Sequence, residues 1–247
     1  MTKQEVLQKC TVEGNIVKLP DLQLDRKVYL EVKQSLELIG GTWKGGKVYG
    51  FVFLSDPTEL LEEIATGEKR NLKKEFQFFG TPASLADELV QRSELKASDR
   101  VLEPSAGQGA IIKAINRVFP EKYIEYCELM PVNQTVLRSS CTAIDIGNDF
   151  LLLDEDLQTN SFDKIIANPP FSKNQDIDHV RKMYRHLRKG GRIVTITSKH
   201  WLTCENKKEK EFKQWLESIN AYWEEVPQGA FKESGTNVAA LILVIDK

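Results

Sequence analysis

The order of apolar and polar residues divides the chain at about residue 75. From residue 76 onward, short apolar runs alternate with stretches in which apolar residues recur every three or four positions. The apolar runs predict seven strands, at 100–103, 123–128, 142–146, 162–168, 191–198, 222–226 and 238–245. The other stretches predict five helices, at 84–92, 110–119, 131–139, 176–188 and 208–218.

Strands that alternate with helices indicate a mostly parallel sheet with helices on both faces. The last two predicted strands are joined by a loop without a helix, so we expect them to pair antiparallel at one edge of the sheet. The expected fold class of residues 76–247 is therefore α/β, with a seven-stranded sheet whose last strand is reversed.

Residues 1–75 have a different pattern, which predicts a small α+β unit. An amphipathic helix is expected at 27–39, and a hairpin at 41–53 with Gly45-Gly46 as its two-residue turn. Asp56-Pro57-Thr58 begins a second helix that runs to about residue 65, before Gly67. The polar stretch 68–75 is interpreted as the linker between the two units.

Composition places the chain among ordinary globular proteins, with 41% hydrophobic and 28% charged residues. No apolar run approaches the roughly 20 residues that span a bilayer, and the first residues lack the apolar core of a secretory signal. The four cysteines form no CxxC pair and no histidines cluster with them, so neither zinc nor a disulfide framework is expected. Reduced cysteines favour a cytoplasmic location.

The net charge of −2 conceals a strong asymmetry along the chain. Residues 121–163 contain two basic and nine acidic residues, whereas 164–213 contain thirteen basic and five acidic ones. A basic segment suits a polyanionic partner such as a nucleic acid, although a solvated helix face explains such a run about as well. All three histidines lie in this segment, and we expect them on helix or loop surfaces.

The first predicted strand of the larger unit ends in a glycine-containing turn, Glu103-Pro-Ser-Ala-Gly107-Gln-Gly109, followed by an apolar helix. Glycines there let the backbone approach a ligand closely, and the helix N-terminus offers N–H groups. An acidic residue is a poor neighbour for a pyrophosphate, so Glu103 favours a ligand that carries an ammonium and a sulfonium. Glu128 ends the next strand, where a carboxylate can accept ribose hydroxyl protons.

The fourth strand of the larger unit ends in Asn168-Pro169-Pro170-Phe171, at the sheet edge where ligands bind in open α/β folds. One ligand whose chemistry suits these residues is an aryl amine, which is a poor nucleophile because its lone pair is delocalised into the ring. The Asn168 side-chain oxygen and the Pro169 carbonyl can accept its two hydrogens and localise that lone pair. Pro170 stiffens the loop, and Phe171 can stack on a flat substrate.

The order EPSAGQG, YCE, GNDF and NPPF, preceded by FFGTP at 78–82, resembles the class I amino-methyltransferases, especially the DNA adenine-N6 methyltransferases. The resemblance covers about two-thirds of the chain. It implies a Rossmann-like methyltransferase sheet and S-adenosylmethionine as the cofactor. It also implies a set of residues that line the cofactor, namely Phe79, Thr81, Glu103, Ala106, Gly107, Gly109, Glu128, Asp149 and Phe150.

Two further segments are candidates for substrate contact. Ser198-Lys199-His200-Trp201 follows a strand end, with Lys199 as the substrate-binding residue. The loop 229–236 resembles the family loop that shapes the target-base pocket, and Phe231 is either a stacking partner there or a core aromatic. The chain ends shortly after its last strand, so we expect target recognition from the N-terminal unit, short loops, a protein partner or a homodimer.

The leading hypothesis is methylation of the N6 amine of adenine in DNA. The alternatives are methylation of an RNA base amine or a protein glutamine amide by the same chemistry, and a non-catalytic cofactor-binding subunit. DNA is favoured over RNA as the partner, and no membrane association is expected. The N-terminal unit, with Trp43, Lys44, Lys47 and Tyr49 on its hairpin, is expected to recognise nucleic acid or to serve in packing.

Overall fold

The structure is a computed structural model that describes residues 1–72, 80–154, 159–227, 229–231 and 239–247. It contains two compact units, residues 1–78 and 79–247. None of the helices in the described ranges is long and apolar enough to cross a membrane.

In its described residues 1–72, the first unit has three helices with assigned bounds and a four-stranded antiparallel sheet of order β1-β2-β4-β3. Its elements are α1 (Lys3–Leu7), β1 (Thr11–Glu13), β2 (Ile16–Lys18), α2 (Arg26–Leu38), β3 (Thr42–Lys44), β4 (Gly50–Val52) and α3 (Thr58–Ala65). The predicted small α+β unit is confirmed. Sequence patterns did not indicate α1, β1 and β2, because elements of three to five residues are too short to show a period.

The hairpin of this unit differs from its prediction in the turn. Trp43 lies opposite Phe51 and Lys44 opposite Gly50, so the connection has five residues, 45–49, instead of the two residues Gly45-Gly46. The two aromatic rings pack edge-to-face with centroids 5.1 Å apart. This cross-strand contact sets the register, and the glycines lie within the loop without forming its whole turn.

The second unit is a seven-stranded sheet of order β10-β11-β9-β8-β5-β6-β7. Its strands are β5 (Val101–Glu103), β6 (Ile124–Cys127), β7 (Ala143–Gly147), β8 (Phe162–Ala167), β9 (Leu187–Ser198), β10 (Tyr222–Glu225) and β11 (Ala240–Asp246). β11 runs antiparallel to both of its neighbours, and the other pairs are parallel. The predicted α/β class with a reversed last strand is confirmed.

The helices of this unit are α4 (Ala83–Arg92), α5 (Ala110–Val118), α6 (Pro131–Ser140), α7 (Gln175–His186), α8 (His200–Thr203) and α9 (Lys207–Ser218). They bury two apolar clusters against the sheet. One contains residues of α4 and α5, such as Leu89 and Ile111, and the other contains residues of α7 and α9, such as Met183 and Phe212. Separate clusters with helices of their own indicate that both sheet faces are covered.

The winding of the sheet reverses beside β5. From β5 the chain proceeds outward through β6 and β7 on one side, and it returns to place β8 on the other side. Both strands that flank this point, β5 and β8, are parallel, so their carboxyl ends lie at the same edge. Open α/β sheets bind ligands at such a switch point. β5 ends at Glu103 and β8 ends just before Asn168, and the two strands pair directly. These two residues therefore lie at the same edge of the sheet, at the switch point.

One predicted boundary was wrong at the start of β9. The helix predicted to reach residue 188 ends at His186, and the strand predicted from 191 begins at Leu187. The register against β8 shifts between Phe162 and Lys164, which pair with Leu187 and Arg192. Gly190 and Gly191 lie within this irregularity of the strand pairing. Two consecutive glycines are typical of a turn, so the sequence did not indicate that the strand begins before them.

Gly191 is the position where this irregularity is least tolerant of a side chain. A Cβ there would lie 2.9 Å from the Asp163 carbonyl oxygen and 3.0 Å from that of Arg188. Because both are backbone atoms, relief requires the backbone to shift, both between β8 and β9 and within β9 itself. We predict that Gly191→Ala lowers the free energy of unfolding by about 1–3 kcal/mol, measured by urea denaturation.

Gly45→Ala is the control, since its Cβ would meet no atom within 4 Å. Its expected effect is within about 0.5 kcal/mol. An equal effect of the two substitutions would contradict the steric argument.

Candidate active site

The glycine turn after β5 is held to the end of β6. Ala106 donates its N–H to the Cys127 carbonyl oxygen at 3.0 Å. Gly107 and Gly109 have φ angles of +55° and +76°, in the left-handed region that favours glycine. A Cβ on Gly109 would also lie 2.6 Å from the Cys141 sulfur, so conformation and space both require glycine where α5 begins.

Glu128, directly after β6, links this turn to the start of α6 through hydrogen bonds that its carboxylate accepts. Its Oε2 accepts the Gly107 N–H at 2.6 Å, and its Oε1 accepts the Met130 N–H at 2.8 Å and the Asn133 amide at 3.2 Å. Burial raises the pKa of Glu128, and these hydrogen bonds offset only part of that rise. Glu128 is thus placed to fix the turn and to present a carboxylate beside it.

Two residues that support Glu128 escaped the sequence analysis. Asn133 and Gln134 are buried polar side chains on α6. Gln134 donates to the Glu128 carbonyl oxygen at 2.6 Å and to the Asn148 side chain at 3.0 Å. The sequence does show two consecutive amide side chains near the start of a predicted helix. The spacing of hydrophobic residues, from which the helix was predicted, gives no information about such polar positions.

Glu103 ends β5 with a buried carboxyl group that is 2% exposed. Its Oε2 has no hydrogen-bond partner among the described residues. Burial, together with the neighbouring Glu128 charge, holds the pKa of Glu103 well above its usual value, against a hydrogen bond from the Ile112 N–H. A buried carboxyl oxygen without a partner is suited to a cationic ligand. The residues present therefore fit S-adenosylmethionine.

Asp149 and Phe150 follow β7. The Asp149 carboxylate accepts the Leu151 N–H at 2.9 Å and so caps the short 3₁₀ turn Phe150–Leu152. The Phe150 ring is 1% exposed, and the His179 and His186 rings lie 5.6 and 5.5 Å from it. The Phe150 ring thus has almost no exposed surface in this arrangement, and its place among the residues that line the cofactor stays a prediction.

The same packing corrects the expected surface positions of two histidines. His179 and His186 are buried on the inner face of α7, and burial lowers the pKa of His179 to about 4. Lys182, which lies between them in sequence, is also buried. It donates to the Leu151 and Leu153 carbonyl oxygens at 3.0 and 2.5 Å. His200 does lie at the surface.

Asn168 follows β8 directly and is linked to Thr81, 87 residues earlier. The Asn168 side-chain nitrogen donates to the Thr81 hydroxyl at 3.0 Å. This bond turns the amide so that its oxygen points away from Thr81. Pro169 is buried, while Asn168, Pro170 and Phe171 are half-buried. The structure thus brings together two motifs that are distant in sequence, beside the carboxyl end of β5.

The two predicted substrate-binding residues are engaged elsewhere. Lys199 forms an ion pair with Glu225. Phe231 is 5% exposed and belongs to the same core cluster as α4 and α5, which agrees with the core alternative and not with stacking on a base. Trp201 is also buried and donates to the Thr197 hydroxyl at 3.2 Å. Phe79 and residues 232–236 of the loop lie outside the described residues.

Part of the basic excess of residues 164–213 is neutralised within the fold. Among the described residues, at least three basic side chains of this segment form ion pairs with acidic residues outside it, namely Arg188 with Asp163, Arg192 with Asp246 and Lys199 with Glu225. The charge count along the chain therefore overstates the positive field available to a polyanion.

Comparison with solved structures shows a shared fold. A protein from Listeria monocytogenes, provisionally assigned as a class I S-adenosylmethionine-dependent methyltransferase, is 13% identical with a TM-score of 0.53, over 77% of this chain and 66% of its own. A provisionally assigned type I restriction modification subunit from Vibrio vulnificus YJ016 is 16% identical with a TM-score of 0.54, over 92% of this chain and 59% of its own. The EcoKI M protein, from a type I restriction enzyme, is 14% identical with a TM-score of 0.54, over 91% of this chain and 55% of its own.

The chain thus spans less than two-thirds of the length of these structures. A search of curated proteins finds no significant match to the sequence. The profile of the methyltransferase small domain family matches residues 83–221, more than half of the chain. The chain therefore belongs to the methyltransferase small domain family, and its cofactor is S-adenosylmethionine.

Proposed function

We propose that this methyltransferase transfers a methyl group to the N6 amine of adenine in DNA. The observation that carries the proposal is the position of Asn168-Pro169-Pro170-Phe171 at the switch point, with the Asn168 amide oriented by Thr81. An acceptor with a fixed orientation at this edge suits a planar amine that must be desolvated and positioned.

The chemistry assigned to these residues is the positioning of a weak nucleophile. The Asn168 oxygen and the Pro169 carbonyl accept the two amine hydrogens, and the nitrogen lone pair then points toward the methyl donor. S-adenosylmethionine supplies, when bound, a methyl group on a positively charged sulfur. As the new carbon–nitrogen bond forms, the methyl–sulfur bond breaks and its electron pair stays on sulfur. The amine nitrogen becomes positively charged and afterwards releases one proton to solvent. Half-buried Phe171 stacks on the extruded base.

The cofactor-binding role is assigned to the residues around the glycine turn. Glu103 offers a buried carboxylate to the positive charge of the cofactor, and Glu128 offers a carboxylate to its ribose. Thr81, Ala106, Gly107 and Gly109 bring backbone close to the ligand, and Asp149 accepts a proton from its adenine amine. Each of these roles is part of the proposal.

DNA is favoured over RNA and protein by the resemblance of the motifs to the DNA adenine-N6 methyltransferases. The likeness to two modification subunits of type I restriction enzymes agrees with it, since both alignments cover more than nine-tenths of this chain and so include much of the N-terminal unit. We assign target recognition to that unit, acting with a protein partner or a second copy of the chain. The Tyr49 side chain is 71% exposed on its hairpin loop and is available for such contact.

The substrate class is tested by incubating the protein with labelled S-adenosylmethionine and, separately, unmethylated genomic DNA, ribosomal RNA and a protein extract. We expect label in N6-methyladenine of the digested DNA. Label confined to RNA or protein would overturn the choice of DNA. Tight cofactor binding without transfer to any of the three would favour a non-catalytic subunit.

Removal of the Asn168 side-chain amide should strongly lower the rate of methyl transfer and leave cofactor affinity nearly unchanged. For Asn168→Ala we expect kcat to fall by about 10²–10³-fold, as when a preorganised polar group of an active site is deleted. Cofactor affinity, measured by calorimetry, should change little. Asn168→Asp is the comparison variant, because it keeps an acceptor oxygen while it removes the donation to Thr81 and adds a negative charge. It should retain more transfer than Asn168→Ala if the acceptor oxygen is what positions the amine. A large loss of cofactor binding in Asn168→Ala would place Asn168 in the other half of the site.

Cofactor affinity should depend on pH through Glu103. In the free protein, the raised pKa keeps Glu103 protonated at pH values where a free carboxyl group is ionised. A cationic ligand favours the ionised form, so binding releases a proton, and affinity should rise with pH by up to about tenfold per unit until that raised pKa is passed. Glu103→Gln should remove this slope. The same slope in both proteins would assign the titration to another group.

A further inference from the structure

Three side chains with metal-binding atoms meet beyond the carboxyl end of β9. Cys204 donates its N–H to the His200 carbonyl oxygen at 3.0 Å, which closes one helical turn and places both side chains on the same face of α8. Glu209 reaches them from the first turn of α9. One ligand atom from each residue lies within 4.8 Å of the other two.

Two of the three distances between these atoms are close to those of a tetrahedral zinc site, and the third is at most 4.8 Å. The His200 Nε2 and the Cys204 sulfur lie 3.7 Å and 3.4 Å from the same Glu209 oxygen, Oε1. Zinc bonds of about 2.0–2.1 Å to nitrogen, 2.3 Å to sulfur and 2.0–2.2 Å to oxygen imply neighbouring ligand atoms about 3.3–3.6 Å apart. Small side-chain adjustments are enough to bring all three onto one ion.

Hydrogen bonds to the ligand atoms come from two asparagines. Asn174 donates to Glu209 Oε1 at 2.7 Å, and Asn206 donates to the Cys204 sulfur at 3.0 Å and to Glu209 Oε1 at 3.3 Å. Donors of this kind orient metal ligands and are a regular part of metal sites. The Glu209 side chain is 1% exposed, whereas that of His200 is 58% exposed. The site is therefore closed beneath the carboxylate and open to solvent at the histidine.

We propose that His200, Cys204 and Glu209 bind a divalent transition-metal ion, with Zn²⁺ as its representative. Nitrogen, thiolate and carboxylate ligands together suit zinc and exclude the oxygen-only preference of Mg²⁺ and Ca²⁺. On binding, the Cys204 thiol releases its proton to solvent and the thiolate sulfur donates an electron pair to the ion. A water molecule occupies the fourth position on the exposed side.

The site bears on the catalytic loop through Asn174. This residue ends the short turn Ser172–Asn174 that follows Asn168-Pro169-Pro170-Phe171, and it has a left-handed φ of +59°. Its side chain donates to Glu209, and its carbonyl oxygen accepts from Lys208 at 3.2 Å. A metal ion bound to Glu209 would fix the carboxylate that accepts the Asn174 hydrogen bond, and so would stabilise this turn. The proposed metal has a structural role next to the loop and takes no part in methyl transfer.

This mixed set was not expected from the sequence, which shows no CxxC pair and no clustered histidines. The spacing is three residues between His200 and Cys204 and four between Cys204 and Glu209. The first spacing places two ligands on one helical turn. The third ligand follows only after the chain turns from α8 into α9.

The test is metal binding by the purified full chain, with the activity assay left aside. Zinc content after dialysis should be one ion per chain, and Co²⁺ substitution should give thiolate-to-cobalt charge-transfer absorption. Cys204→Ser should abolish that absorption, and His200→Ala should lower Zn²⁺ affinity at least about tenfold. Asn206→Ala should weaken affinity by about 10–100-fold, as for groups that orient metal ligands.

Cys10→Ser is the matched control, because Cys10 lies in the first unit, and it should bind Zn²⁺ like the unaltered protein. His200 is exposed, so His200→Ala should fold normally, which circular dichroism checks. The proposal is overturned if the unaltered chain retains no Zn²⁺, or if His200→Ala and Cys204→Ser both bind it as tightly as Cys10→Ser does.

Discussion

The parallel pairing of β5 with β8 is the constraint on which the rest of the larger unit depends. Val101 lies beside Lys164 and Leu102 beside Ile165, so the two strands finish at the same edge of the sheet. Each strand then leads into one half of the site, the glycine turn on one side and Asn168 on the other. The hydrogen bond from Asn168 to Thr81 ties this edge to the segment that precedes α4. Loss of this one strand pairing would separate the two halves of the site.

Much of the fold was predictable because its elements are long enough to show a period. In the described part of the larger unit, the sequence predicted all seven strands and five of the six α-helices. It also predicted the reversed strand, because a loop and not a helix joins the last two strands. The failures have local causes. Gly190 and Gly191 look like a turn but lie within a strand irregularity, and Gly45-Gly46 looked like a complete turn although the Trp43–Phe51 contact sets a longer loop.

The candidate site was predictable where the backbone itself imposes the residue. Gly109 needs a left-handed φ and has no space for a Cβ, and Glu103 and Asn168 follow directly from strand ends. Side-chain burial was harder to anticipate. His179, Lys182 and His186 share one face of α7 with Val180 and Met183, and a hydrophobic scale counts them as exposed. Likewise, a charge count along the chain cannot show that Arg188 pairs with Asp163 or that Arg192 pairs with Asp246.

The burial of Glu103 has a consequence for the end of the catalytic cycle. In the proposed arrangement, its carboxylate is stable in the interior only while a positive charge compensates for lost hydration. The bound cofactor carries one positive charge fewer after the methyl group has left. Glu103 then regains its preference for a proton, and the site holds the spent cofactor less tightly than the fresh one. Under the proposed contact with the cofactor, this one buried carboxyl group would favour release of the spent cofactor over product inhibition.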